Sequence, residues 1–145
     1  MSASQELVID ASVSLAWLLN EPVNHSNLNE LFLAAFRSQK RVHVPALWHW
    51  ECANVLLSMV KRQSILLPEV PGYLELMRYV NPQVDGIPDS KVQHATVELA
   101  YLSGLSYYDA SYVELALRLK AQLATYDDKM KIAAQNLGIE CLDLS

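Results

Sequence analysis

Four acidic residues, Asp10, Glu51, Asp109 and Asp127, have the type and placement to do chemistry. Their contexts are VIDASVSLAWL, VPALWHWECANVLL, LSYYDASYVELALRLK and LATYDDKM, each at the end of an expected strand or the start of an expected helix. Carboxylate oxygens are the hard donors that Mg²⁺ and Mn²⁺ prefer. Several carboxylates share a pocket only if cations offset their mutual repulsion. Acids drawn from distant segments into one place are what metal-assisted phosphodiester hydrolysis requires.

Each acid alone has a plainer explanation. Asp109 closes a Ser106-x-x-Asp109 capping pattern, and Asp127 is placed to cap the helix after it. Glu51 shares a polar helix stripe with Asn54, Ser58 and Arg62, and Asp10 follows a strand as a turn or cap residue would. The joint pattern is stronger than any member, because four accidents would have to fall on one edge of a sheet.

The elements that must position these acids are legible from periodicity. Leu7-Val8-Ile9 reads as a buried strand ending at Asp10. Ser12 is expected to cap a helix running through Trp17 to Leu19 and stopping before Glu21-Pro22. A second helix begins near Ser26, with Leu28, Leu31, Phe32 and Ala35 inward, and Val42-His43-Val44 is the next strand. From Leu47 to Arg62 the spacing predicts a helix with Ala46, Trp50, Ala53, Leu57 and Val60 on its core face. Pro68 to Val80 reads as a helix weakened by Pro71-Gly72, followed by a short strand near Val84. Ser90-x-x-Gln93 opens a helix through Ala100. Ser106 opens another, with Ala110, Val113 and Leu117 as its core face. Leu123-Ala124-Thr125 is a strand, Asp128 to Asn136 a helix ended by Gly138, and Ile139 to Leu142 a last strand. This alternation predicts an α/β fold, a three-layer α/β/α sandwich with a central parallel sheet. Asp10 and Asp127 follow strands and Glu51 and Asp109 open helices, so all four belong to the carboxyl edge of that sheet.

Composition bounds the function. A chain of 145 residues with 52% apolar and 19% charged residues is expected to form one domain, 1–145, with a real core. The net charge of −5 argues against binding nucleic acid by counterion release alone. A nucleic-acid substrate would therefore depend on bound metal and small local patches. The basic pairs Lys40-Arg41, Lys61-Arg62 and Lys129-Lys131 read first as solvated surface, with phosphate contact as the alternative. Cys52 and Cys141 match no zinc or redox spacing and read as reduced structural thiols. No apolar run is long enough to cross a bilayer, and MSASQE lacks signal-peptide character, so a cytoplasmic location is expected.

With these pieces in place the chain resembles the PIN-domain family, and within it the VapC-type ribonuclease toxins of prokaryotic toxin–antitoxin pairs. The matching segments are VIDASVSLAWLLNEP, VPALWHWECANVL, GLSYYDASYVELALRLKAQLAT and TYDDKMKIAAQNLGI, in order over nearly the whole chain. The resemblance implies Asp10, Glu51, Asp109 and Asp127 as metal-binding catalytic acids for Mg²⁺ or Mn²⁺, with Ser12, Asn54 and Thr125 as polar neighbours. It further implies an RNA substrate, a homodimer and a small antitoxin partner. The T-x-D pattern selects Asp127, with Asp128 as the alternative.

Two other readings compete. One is a PIN-fold scaffold without activity. The other is a receiver-type Mg²⁺-binding signalling domain, which would want paired acids after the first strand, where Ile9-Asp10-Ala11 offers one. His43 and His49 have no metal-ligand spacing and read as structural. The Trp48-His49-Trp50 run could stack bases, but Trp50 lies on the core stripe and Trp48 is equally suited to pack a partner subunit. Tyr107-Tyr108 beside Asp109 suits a groove lining or core packing equally.

Overall fold

The structure is a computed structural model and describes residues 4–19 and 26–144. Its centre is a parallel sheet of four strands: β1 (Glu6–Ile9), β2 (Arg41–Val44), β3 (Gln83–Val84) and β4 (Gln122–Ala124), in the order β3-β2-β1-β4. Leu7, Val8 and Ile9 are all buried. Successive strand side chains point to opposite faces, so both faces of the sheet are covered, as parallel sheets require.

Helices α1 (Ala11–Leu18) and α2 (Ser26–Phe36) join β1 to β2. Helices α3 (Leu47–Lys61) and α4 (Val70–Met77) join β2 to β3, with short 3₁₀ turns at Leu67–Glu69 and Arg78–Val80. Helices α5 (Ser90–Ser103) and α6 (Tyr107–Leu119) cross back to β4, and α7 (Asp128–Asn136) follows it. Helix α1 packs on α2, α3 and α4, while α6 packs on α5, α7, β1 and β4. Right-handed crossovers put these two groups on opposite faces. The strand order reverses between β1 and β4, where α/β proteins open a crevice outside the carboxyl ends of the strands.

Several expectations need correction. Helix α1 is capped by Asp10, not Ser12: the Asp10 carboxylate accepts from the Val13 N–H. Its expected stop before Glu21-Pro22 lies outside the described residues. Helix α5 is capped by Asp89, one residue before Ser90. On α3 the buried residues are Trp48, Cys52 and Leu56, whereas Trp50, Ala53 and Leu57 are exposed. Two apolar stripes run along this helix, and the one facing α1 is buried. Trp48 accordingly sits in the core rather than at a subunit contact, its indole N–H donating to Ser14 Oγ at 3.1 Å. Leu117 is exposed on α6, where Tyr112, Glu114, Leu115 and Ala116 join Ala110 and Val113 inside. Strand β4 ends one residue before Thr125, and the expected last strand shrinks to a single parallel bridge between Leu123 and Cys141. Pro71 is tolerated because it falls in the first turn of α4, where its missing N–H breaks no helix bond.

Candidate active site

Asp10 is the first residue beyond β1, and its N–H extends the β1–β4 ladder by one bond to the Ala124 carbonyl, at 3.3 Å. That register sets Asp10 beside Thr125. The Thr125 hydroxyl donates to Asp10 Oδ2 at 2.5 Å. The Ser12 hydroxyl donates to Oδ1 at 2.7 Å, and the Val13 N–H to the same oxygen at 3.0 Å. A buried carboxylate is therefore held by three neutral donors. The arrangement is braced from below: Ser14 Oγ donates to the Asp10 carbonyl and accepts from Trp48, tying α3 to α1.

The other acids surround this one. Thr125 Oγ1 also accepts from the Asp127 N–H at 3.0 Å, and Asp127 caps α7 by accepting from the Met130 N–H. Asp109, at the start of α6, donates its N–H to Ser106 Oγ. Glu51 accepts a 2.5 Å bond from the Tyr112 hydroxyl, joining α3 to α6 across the crevice. Burial raises the Asp10 carboxyl, and repulsion from Asp109 adds to it. Burial likewise raises Glu51, with Asp109 and Asp10 contributing. Asp109 is raised by burial and by Asp127. Asp109 thus bears on Asp10 and Glu51, Asp127 bears on Asp109, and none of the four forms an ion pair among the described residues. The Cys52 thiol beside Glu51 is pushed up by burial and by these acids, which keeps it protonated and inert.

Ser12 and Thr125 stand where the sequence reading put them, against Asp10. Asn54 is exposed, and its side chain forms no hydrogen bond to the acids among the described residues. Asp128 has a 92% exposed side chain and pairs with Lys131, so the alternative to Asp127 points away. Three supporting residues were missed: Tyr112, Ser14 and Trp48. Tyr112 follows Asp109 by three, one helical turn on the same face, a signal the sequence did offer.

The donors are all oxygens of hard character, suited to Mg²⁺ or Mn²⁺. Among the described residues no three His, Cys, Asp or Glu side chains are gathered tightly enough to hold an ion as they stand.

Residues 7–136 match the family model described as PIN domain. The chain belongs to the PIN-domain family. Members are generally metal-dependent nucleases, and membership sets aside the receiver-type reading. Among solved structures, this PIN domain is similar to PAE2754 from Pyrobaculum aerophilum, with 18% identity and a TM-score of 0.72. The match covers 96% of this chain and 85% of that one, a likeness of fold. No match emerged among curated proteins. No helix among the described residues of this PIN domain is long and apolar enough to cross a membrane.

Proposed function

We propose that residues 1–145 act as a single nuclease domain, a cytoplasmic Mg²⁺- or Mn²⁺-dependent endoribonuclease and the toxin of a toxin–antitoxin pair. The observation that supports it most is the convergence of Asp10, Glu51, Asp109 and Asp127 on one crevice with only neutral donors around them. These four would hold the ion. When bound, a divalent cation supplies a water of lowered pKa and offsets charge on the phosphate.

The chain's own residues orient the acids. Ser12, Val13 and Thr125 fix both oxygens of Asp10, and Thr125 couples it to the turn that carries Asp127. Tyr112 fixes one oxygen of Glu51, leaving the other for a metal or a water. No side-chain nucleophile is needed. A divalent cation held by these acids would offset the repulsion that a net charge of −5 sets against RNA phosphates.

The active unit is a homodimer, and a small antitoxin silences it. Exposed apolar residues on α5, including Val97, Tyr101 and Leu102, support a subunit contact. The antitoxin covers the groove or sets a basic side chain among the acids.

The deciding experiment is cleavage of single-stranded RNA with Mg²⁺ or Mn²⁺, then with EDTA, for the intact chain and for Asp10→Asn. Cleavage by the intact chain alone, lost in EDTA and reduced more than about 100-fold in a folded Asp10→Asn protein, is expected. Full activity of that variant defeats the assignment. Light scattering tests the dimer, and growth arrest relieved by a co-expressed partner tests the toxin. Harmless expression of an inactive chain would instead fit a PIN-fold scaffold.

A further inference from the structure

The first turns of α3 and α6 each carry an aromatic residue directly before an acid: Trp50 before Glu51, and Tyr108 before Asp109. Consecutive helix residues point about 100° apart. The rings therefore border the acids rather than mix with them. Trp50 and Tyr108 line a cleft of about 260 Å³, together with Tyr107, Ser111 and the turn that carries Asp85 and Ile87. The rings remain 70% and 63% exposed, and Ile87 is 93% exposed. Trp48, two residues earlier on the same helix, is buried with its N–H bonded. The core has taken its tryptophan and left the second one in solvent.

The charge of the cleft narrows what it can hold. Asp85 lines it, but both carboxylate oxygens accept from the Arg118 guanidinium, at 3.2 and 2.7 Å. Arg118 is itself shared with Glu114. The Ser111 hydroxyl is committed to the Tyr107 carbonyl. What faces the opening is a neutral aromatic surface, with the Tyr107 and Tyr108 rings at 89° to each other and a few polar atoms at its rim. It offers no free cation to grip a phosphate and no free carboxylate to bind a metal. A nucleobase has the matching chemistry: flat, uncharged, and able to stack on an aromatic face whatever its sequence.

We propose that this cleft receives an unpaired base of the RNA strand, stacked on Trp50 and Tyr108, next to the phosphate held at the acids. The inference rests on the nuclease reading above and adds to it a base-holding subsite beside the acids. Paired bases are stacked within their own helix and present only edges, so a duplex cannot enter.

The test uses the intact chain on an unstructured oligoribonucleotide. Trp50→Ala and Tyr108→Ala are each expected to raise KM about tenfold with kcat little changed, the effect of losing one base–aromatic stack. Trp50→Phe and Tyr108→Phe should restore most of the loss. In an Asp10→Asn background, which removes cleavage, the same oligonucleotide should quench tryptophan fluorescence, and Trp50→Phe should remove that quench while anisotropy still reports binding. If RNA is cleaved but Trp50→Ala keeps the unmutated KM, the cleft proposal falls and the nuclease reading stands. Quenching at Trp50 in a chain that cleaves nothing keeps the cleft and sinks the nuclease reading. If Trp50→Ala instead converts a dimer to a monomer in light scattering, the cleft belongs to a second copy of the chain and the proposal is overturned.

Discussion

Strand β1 carries an acid at each end, and the two live in opposite electrostatic worlds. Glu6 opens the strand and is paired: Arg41 Nε donates to it at 2.6 Å, and His43 contacts its other oxygen. The Arg41 bond holds its carboxyl below the ordinary range. Asp10 follows the strand's other end, is buried, and meets only hydroxyls and an N–H, so its carboxyl is raised. Nearby on the Glu6 side, Lys40 donates to Gln122 and to the Ser4 carbonyl, and Gln122 donates to Glu140. One end of the sheet is balanced for structure. The other gathers acids that have no ion-pair partner among the described residues and whose carboxyls are raised, the pattern that clusters at functional sites.

The sharpest way to break that comparison is with metal. A divalent ion that binds the folded chain alone adds about 2.7 kcal/mol at a hundred times its dissociation constant. Millimolar Mg²⁺ or Mn²⁺ should therefore raise the melting temperature by several degrees, and Asp10→Asn should remove most of the rise. Arg41→Ala should leave the rise intact, because Glu6 lies at the far end of the strand. Identical metal responses in both variants would erase the distinction between the two ends.

Acid titration without metal sharpens the contrast. Raised carboxyls at Asp10, Glu51 and Asp109 mean that the folded chain binds more protons than the unfolded chain between the ordinary and the raised pKa values. Stability contributed by these groups then grows as pH falls into that window and is lost as pH rises through it. Glu6 has the opposite sign, its contribution vanishing as pH falls through its lowered value. Melting in EDTA should show Asp10→Asn flattening the first trend, and calorimetry across pH 4 to 7 would measure it. A trend unchanged by Asp10→Asn contradicts a raised Asp10 carboxyl as its source.

The smallest effect belongs to the paired end. Arg41 is more than half exposed, and such solvent-screened surface pairs contribute little to stability. Arg41→Ala should cost little in urea unfolding and leave RNA cleavage unchanged. A loss of activity would mean that the two ends communicate.

Much of the fold could be read from the residues. The apolar triplet at Leu7, the spacing of Leu28, Leu31, Phe32 and Ala35, and the Ser106 cap each predicted an element at its observed place. Local signals succeed where one segment can satisfy its own backbone and expose a single apolar face. They faltered where two solutions were locally equal. Asp10 and Ser12 are both good caps, and both apolar stripes of α3 have helical spacing.

The sequence by itself determined the order and type of the elements and the candidate acids, because periodicity, capping and carboxylate chemistry are properties of short segments. Only the tertiary structure decided that Trp48 rather than Trp50 is buried, that Tyr112 reaches Glu51, and that Thr125 bridges Asp10 to Asp127. Those outcomes depend on which helix meets which across the sheet, at sequence separations of 61 for Tyr112–Glu51 and 115 for Thr125–Asp10, and no local pattern encodes a meeting so distant.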